Sequence, residues 1–323
     1  MSSAHENRPT RVLLTGADGF VGKHLRQLLE ERRIAHRAAV RSLSTPDDSQ
    51  RVAVGDIGPS TDWRAALDGV DVVVHLAARA HILKETSRDP RAQFMRVNAD
   101  GTARLVESAA VAGVRRFIYL SSVGVLGNAS GIRPFTADTP PQPHNAYTES
   151  KLAGEIAAQS AASRLEVVVV RVPLVYGTGV RANFHRLLQM VDRGWPLPLA
   201  AVANRRSFLN VWNLCALVDN VLTNPVAKNR TWLVSDGEDV STPDLIERIA
   251  TALRRRVRLF TVPVSLLYGL GRLAGREAQI AQLCGSLTVD ITQTCNELGW
   301  QPPVSVDEGL QRTVRWYISA ARG

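Results

Sequence analysis

Gly16-Ala17-Asp18-Gly19-Phe20-Val21-Gly22 decides how the rest of this chain is read. The apolar run Arg11–Thr15 precedes it, and an amphipathic stretch from Gly22 to Arg33 follows. Glycine serves such a turn in three ways: it permits a tight bend, lets backbone approach a pyrophosphate, and packs a helix closely on a strand. The helix that starts there offers free N–H groups and the positive end of its dipole to phosphate. A glycine pattern alone is weak evidence. Strand, glycine loop and helix in that order predict a dinucleotide site whose loop contacts are Gly16, Gly19, Phe20, Val21 and Gly22.

Outward from the loop, short Val/Ile/Leu-rich runs alternate with longer amphipathic stretches, the pattern of a parallel sheet covered by helices. Strands are predicted at Arg11–Thr15, Arg37–Val40, Arg51–Val54, Val72–Leu76, Phe117–Leu120 and Glu166–Arg171. Helices are predicted at Gly22–Arg33, Trp63–Leu67, Gln93–Ala112 and Tyr147–Arg164. Asp62 has N-cap chemistry ahead of Trp63, and Gly113 is a stop signal after Ala112. After about Val172 the rhythm changes, with Pro173, Pro196 and Pro198, isolated strands at Ser207–Val211 and Thr231–Val234, and helices at Asn183–Val191, Thr242–Arg254 and Asp307–Ala320. The expected fold class is α/β: a Rossmann-type doubly wound parallel sheet in residues 1–172, and a smaller mixed substrate-binding region in 173–323 that returns strands to the main sheet.

Composition narrows the function. At 323 residues and 45% apolar, the chain can bury a substantial core. Cys215, Cys284 and Cys295 are scattered, with no CxxC and no His cluster at ligand spacing, so neither a disulfide frame nor a metal site is expected and a reducing, cytoplasmic setting is. Met1–Thr10 is polar and contains Pro9, unlike a signal peptide. No apolar run approaches the ~18 residues of a spanning helix. The longest candidate, Val262–Ala274, is interrupted by Pro263, Gly269, Gly271 and Arg272 and reads as buried or amphipathic. The net charge of +9 suits an anionic partner. Its basic residues are dispersed apart from Arg254-Arg255-Arg256 and Arg258, and no nucleic-acid motif accompanies them, which favours solvated surface plus an anionic small ligand.

A carboxylate about 20 residues after such a glycine loop usually holds the ribose 2′-hydroxyl. Here no Asp or Glu lies between Arg32 and Pro46, and the second strand ends at Val40-Arg41. Arg41 can pair with a 2′-phosphate, so NADP is accepted and NADPH favoured over NAD; the plainer reading of Arg41 is a side chain over adenine or in solvent. Asp56 and Ile57 follow the third strand, where a carboxylate can accept from the adenine amine and an apolar side chain can cover the ring. Leu76, Ala77, Ala78 and Arg79 end the fourth strand, at the carboxyl edge where such sheets bind ligands. His75 reads as a packed, hydrogen-bonded residue because its alternation partners are apolar. Asn98, inside a helical pattern, can satisfy backbone or cofactor groups.

Tyr147 and Lys151 lie four apart, one helical turn, about 125 residues after the loop. A free phenol titrates near ~10, too high for a base at neutral pH. A nearby ammonium and a positive nicotinamide favour phenolate and lower that value. Lys151 can also reach the nicotinamide ribose. A serine at the end of the fifth strand would hold the substrate oxygen; on composition, Ser121 and Ser122 serve equally. No Gly-x-Ser-x-Gly elbow is present, which removes a serine-hydrolase reading.

Taken together, Gly16xxGly19xxGly22, Ser122, Tyr147xxxLys151 and Val175-Tyr176-Gly177 resemble the extended short-chain dehydrogenase/reductase family, in its NAD-dependent epimerase/dehydratase branch, over roughly Arg11 to Trp316. The family serine stands five before the glycine of a Val-Tyr-Gly turn, here Val125-Leu126-Gly127, so the resemblance selects Ser122; Leu126 replaces the usual tyrosine. It also implies that Asn98 and Pro173 border the cofactor, that Asn183 and Arg206 bind a nucleotide diphosphate, and that Arg79 and Arg276 are further substrate contacts. Ser207 and Asn213 stand where aspartates are common. Pro196-Leu197-Pro198-Leu199, Arg205-Arg206-Ser207 and Leu233–Pro243 look most like bacterial polysaccharide-pathway members, among them the UDP-N-acetyl-quinovosamine dehydrogenases.

The expected activity is therefore NAD(P)(H)-dependent reduction at C4 of a UDP-4-keto-6-deoxy-N-acetylhexosamine in surface polysaccharide biosynthesis. Catalysis is expected from Ser122, Tyr147 and Lys151, and a homodimer through Gln93–Ala112 and Tyr147–Arg164 from the resemblance. The first rival is a UDP-hexose 4-epimerase with tightly held NAD. A 4,6-dehydratase fits less well, since Val123-Gly124 offers no acid/base pair. A non-catalytic nucleotide-binding protein on the same fold predicts cofactor binding without hydride transfer.

Overall fold

The computed structural model describes residues 11–43, 50–80 and 89–322. The leader reading of Met1–Thr10, and Pro46, lie outside the described residues. In chain order the first elements are β1 (Val12–Thr15), α1 (Phe20–Glu31), β2 (His36–Val40), β3 (Arg51–Ala53), α2 (Arg64–Leu67), β4 (Val72–His75), α3 (Pro90–Met95), a π turn (Arg96–Asp100), α4 (Gly101–Val111), β5 (Arg116–Ser122), α5 (Ala146–Gln159) and β6 (Glu166–Val172). There follow β7 (Leu174–Tyr176), α6 (Ala182–Asp192), β8 (Pro196–Leu197), β9 (Arg206–Asn210), α7 (Val211–Thr223), β10 (Arg230–Leu233), β11 (Asp239–Val240), α8 (Thr242–Leu253), β12 (Arg258–Leu259), α9 (Val264–Leu273), α10 (Glu277–Cys284), α11 (Thr292–Leu298) and α12 (Val306–Arg322).

Two compact units result. The first gathers Met1–Ser121, Asn145–Val170 and Val221–Thr231; the second gathers Ser122–His144, Arg171–Asn220 and Trp232–Gly323. The chain crosses between the two units five times, because some segments serve the unit other than that of their sequence neighbours.

The first unit is built on a seven-stranded sheet of order β10-β6-β5-β4-β1-β2-β3. β1 lies between β2 and β4, parallel to both, so the strand order reverses beside it, the position where open α/β sheets bind ligands at their carboxyl edge. This is the Rossmann-type sheet expected from sequence. Leu13, Val73 and Phe117 are fully buried on it, against Trp63, Leu67, Leu105 and Val167. Fully burying side chains of this kind contributes roughly 1.5–3 kcal/mol each, which fixes the register of the strands. Thr231–Val234, expected as isolated, is β10 on the edge of this sheet beside β6. The helix expected at Gln93–Ala112 is continuous in path but changes hydrogen bonding at the π turn, where Asn98 and Ala99 are buried.

The second unit carries β11-β9-β7 and β12-β8 as small sheets. β9 pairs parallel with β7 and antiparallel with β11. Phe184 of α6 stacks on Tyr176 of β7 at 5.2 Å. The segment Val262–Ala274 is amphipathic: it forms α9, with Leu267 and Gly271 buried. Among the described residues no helix is long and apolar enough to cross a membrane.

Candidate active site

Gly16 adopts φ +68°, and a Cβ there would stand 2.8 Å from the Ala77 amide nitrogen. Gly22 packs so tightly that a Cβ would collide with the Gly16 carbonyl and with Ala17. Gly19 is the N-cap of α1 and gives it no side-chain cap, and the first turn holds no acid. The amides of Phe20, Val21 and Gly22 therefore have no side-chain cap and no acid within the first turn to compete at the positive helix end. The expected dinucleotide fits this cradle on both counts: backbone can come close, and donors stand ready for an anion. Asp18 inside the loop is held by a two-point pair with Arg51 of β3, at 2.8 and 3.1 Å.

Arg41 and Asp56, both assigned to the adenosine end by sequence, pair with each other at 2.6 Å and are both exposed. Ile57 meets Gly101 at the start of α4. From the end of β1 a buried hydrogen-bond chain runs through the unit. Thr15 Oγ1 lies 2.7 Å from His75 Nδ1 and accepts from the Ala77 amide. His75 Nε2 lies 3.0 Å from Thr102 Oγ1, whose own proton goes to the Asn98 carbonyl. His75 must then donate through Nε2, and in a neutral ring Nδ1 accepts from the Thr15 hydroxyl. Burial agrees, pushing it down to about 3. His75 is the packed residue expected.

Asn98 holds two segments together. Its Oδ1 accepts from the Arg79 amide at 2.7 Å, while Nδ2 donates to the Arg79 carbonyl at 3.0 Å and to Ser150 Oγ at 2.9 Å. Ser150 donates in turn to the Tyr147 carbonyl at 2.7 Å. The Asn98 amide is thus engaged by the loop after β4 (Leu76, Ala77, Ala78, Arg79) and by α5. The Arg79 guanidinium lies over the Phe94 ring at 5.7 Å. Sequence reasoning missed Thr15, Thr102 and Ser150, which have no motif beyond a hydroxyl beside a recognised residue.

Asn145 sets the start of α5 through a capping box with Thr148, which puts Tyr147 in the first turn. Tyr147 is half-buried, edge-on to Phe94 at 6.1 Å, and burial pushes its phenol up to about 12. Lys151, one turn on, is buried; its Nζ donates to the Leu120 carbonyl at 2.6 Å and stands 4.1 Å over the Tyr119 ring. Burial pushes Lys151 down to about 7, against an upward pull from Glu155. In the protein alone desolvation dominates both groups, raising the phenol and lowering the lysine, whose Nζ faces a backbone carbonyl.

At the end of β5, Ser121 and Ser122 differ. Ser121 is buried, and its Oγ has no hydrogen-bond partner among the described residues. Ser122 is half-exposed, and its Oγ accepts from the Gly124 amide at 3.1 Å. Pro173 is buried between β6 and β7. Asn183 is exposed in the first turn of α6. Arg206 spends Nη1 on the Gln282 and Gly285 carbonyls at 2.7 and 3.0 Å, closing the carboxyl end of α10. Arg276 is exposed at the N-cap of α10. Neither arginine has a partner here that marks a diphosphate site. Ser207, where an aspartate is common, donates to Asp239 Oδ1 at 2.5 Å and accepts from the Val289 amide. Asn213 donates to Asp236 and to the Val304 carbonyl and accepts from the Val304 amide, a double role that an ionised aspartate could not fill.

Among the described residues no group of three or more His, Cys, Asp or Glu could hold a metal. Strand order and glycine cradle define a dinucleotide-binding fold of the Rossmann type. The profile of the NAD dependent epimerase/dehydratase family matches residues 12–235, and the chain belongs to that family. A Vibrio cholerae protein named UDP-glucose 4-epimerase is 37% identical over 99% of both chains. An Escherichia coli O157:H7 protein named N-acetyl-alpha-D-glucosaminyl-diphospho-ditrans,octacis-undecaprenol 4-epimerase is 25% identical over 96% of both. The solved structure of MoeE5 with UDP-glucuronic acid and NAD superposes with a TM-score of 0.78 at 26% identity, covering 96% of this chain and 99% of that one.

Proposed function

We propose that this protein oxidises and re-reduces C4 of a UDP-linked hexose, inverting that carbon as a 4-epimerase with NAD retained through turnover. The observation that carries the reading is the half-buried Tyr147 in the capped first turn of α5 with the buried Lys151 one turn on. The Vibrio cholerae relative's name supports a 4-epimerase where the sequence pointed to a 4-ketoreductase. Gly16, Gly19 and the amides of Phe20, Val21 and Gly22 would hold the pyrophosphate, Arg41, Asp56 and Ile57 the adenosine end, and Leu76, Ala77, Ala78, Asn98 and Pro173 would border the nicotinamide. NAD supplies a reversible hydride acceptor there, together with a positive ring.

Tyr147 takes the proton from O4 as the C4–H bond breaks and returns it when the bond re-forms. Its protonated resting form is what burial favours, so it is set to protonate an alkoxide and needs added positive charge to act as a base. Lys151 stabilises the phenolate, and the half-exposed Ser122 hydroxyl holds O4. Arg79, Asn183, Arg206 and Arg276 are the proposed UDP contacts. The test is incubation of purified protein with UDP-galactose and no added dinucleotide. UDP-glucose should form until the two sugars equilibrate, and NAD should be released on denaturation; no interconversion with or without added NAD removes the reading.

Arg41, standing where a 2′-hydroxyl-binding acid is usual, favours a second reading: net reduction of a UDP-4-keto-6-deoxy-N-acetylhexosamine by exchangeable NADPH. That enzyme consumes NADPH stoichiometrically with the keto sugar, whereas an epimerase consumes none.

A further inference from the structure

Leu266, Leu270 and Leu273 are 52%, 55% and 88% exposed on α9. Spacings of four and three put them in one row along the helix. The other side of α9 is committed. Leu267 is buried, Ile280 of α10 packs against Gly271, and the Arg276 amide bonds the Gly271 carbonyl. Phe260, just ahead of the N-cap Pro263, is a further exposed apolar side chain at 47%.

The same stretch of chain is strongly basic. Between residues 254 and 289 it carries six arginines and one carboxylate, Glu277. Arg255 pairs with Asp192. Arg254, Arg256, Arg258, Arg272 and Arg276 are exposed. A solvated basic surface needs no row of leucines, and a leucine row meant for a protein partner needs no excess of arginine on the same segment. Together they match the two contributions a surface-lying helix draws on: burial of apolar side chains at the acyl boundary, and attraction of basic residues to anionic headgroups.

We propose that α9 is a membrane-surface anchor, with Leu266, Leu270 and Leu273 set into an anionic lipid bilayer and Arg254, Arg256, Arg258 and Arg272 on its headgroup phosphates. At ten residues α9 lies on the bilayer and does not span it. The proposal stands independently of the reaction catalysed.

The test is sedimentation of the full chain with phosphatidylcholine vesicles, with and without phosphatidylglycerol. The wild type should sediment with the anionic vesicles, at least about tenfold more than with neutral ones, and should be released by high salt. Leu266→Ser/Leu270→Ser/Leu273→Ser should lose about tenfold or more of that binding with NAD binding and melting temperature intact. Arg272→Glu should weaken binding and its salt dependence together. Should the triple variant fold poorly, Leu273→Ser alone, at the most exposed site, carries the same expectation at smaller size. Absence of wild-type binding to anionic vesicles at low salt overturns the proposal, as does wild-type binding by the leucine variants. A leucine variant that converts a dimer to a monomer in sedimentation velocity without changing vesicle binding also overturns it, and assigns the row to a second copy of the chain.

Discussion

Two polar clusters, one in each unit, are built on opposite principles. In the second unit the Asp236 carboxylate receives the Tyr176 hydroxyl at 2.9 Å, the Asn210 amide at 2.8 Å, and the side-chain amides of Asn210 and Asn213 at 2.9 and 2.7 Å. In the first unit the buried Lys151, with three donors, finds one acceptor, the buried Ser121 hydroxyl finds none among the described residues, and the half-buried Tyr147 hydroxyl stands beside them unbonded to the described residues. A buried group with all its partners is a structural tie; one left short of partners is held at an energetic cost and is ready for an incoming ligand. The contrast separates the scaffold tie from the proposed chemistry without reference to motif.

The largest effect that could break this contrast is catalytic. Tyr147→Phe should lower turnover by roughly 10²–10⁴-fold with NAD binding retained by fluorescence titration. Near-normal turnover would leave the under-satisfied cluster without a purpose. Asp236→Ala should instead spare the chemistry and lower stability by about 3 kcal/mol in urea unfolding, since the donors of Tyr176, Asn210 and Asn213 lose their acceptor. A variant as stable as wild type would mean the tie is not one.

The pH dependence sharpens the comparison with two opposite signs. Lys151 is pushed down from 10.5 to about 7, so between those values the unfolded chain binds more protons and stability rises with pH. The slope is at most about 1.4 kcal/mol per pH unit, and Lys151→Met should flatten it. Asp236 is pushed up from 3.8 to about 6 by burial, so there the folded chain binds more protons and its contribution falls as pH rises through that window. Asp236→Asn should remove that fall; an unchanged pH–stability profile in either variant refutes the assignment. Next in size, Asn98→Ala frees the Arg79 backbone and Ser150 and should cost about 1–2 kcal/mol. Smallest of all, Arg41→Ala should change the NADPH:NADH preference by no more than roughly fivefold, because an exposed ion pair is worth little.

The first unit was legible because its signals are local. The glycine loop, the alternating strands and the Tyr-x-x-x-Lys spacing each lie within one element, and β1, α1, β4, β6 and α5 fall within a few residues of the expected limits. α1 begins at Phe20, ahead of the Gly22 expected, because the cap is a bare glycine turn with no side-chain signature. What escaped depends on distant partners. β10 looks isolated in sequence because β6, its neighbour in the sheet, is far away in the chain. α7, whose Asn213, Asp219, Asn220 and Thr223 share one side, follows β9 with no loop between to mark its start. The π turn leaves the apolar pattern of Gln93–Ala112 unbroken and shows only in its hydrogen bonds. Residue roles followed the same rule: Tyr147 and Lys151 announce themselves by spacing, whereas the tie between Arg206 and the end of α10 joins residues about 80 apart.

The return of residues 221–231 to the first unit has a practical corollary for anyone dissecting the gene. A fragment that stops after Val172, where the proline-rich half begins, lacks β10 and leaves β6 as the margin of its sheet. That margin would present four consecutive valines, Val167 to Val170, with unpaired backbone, an invitation to intermolecular strand pairing. Such truncations should be found in inclusion bodies, and a soluble dinucleotide-binding half will require residues 221–233, through the end of β10, to be spliced back on.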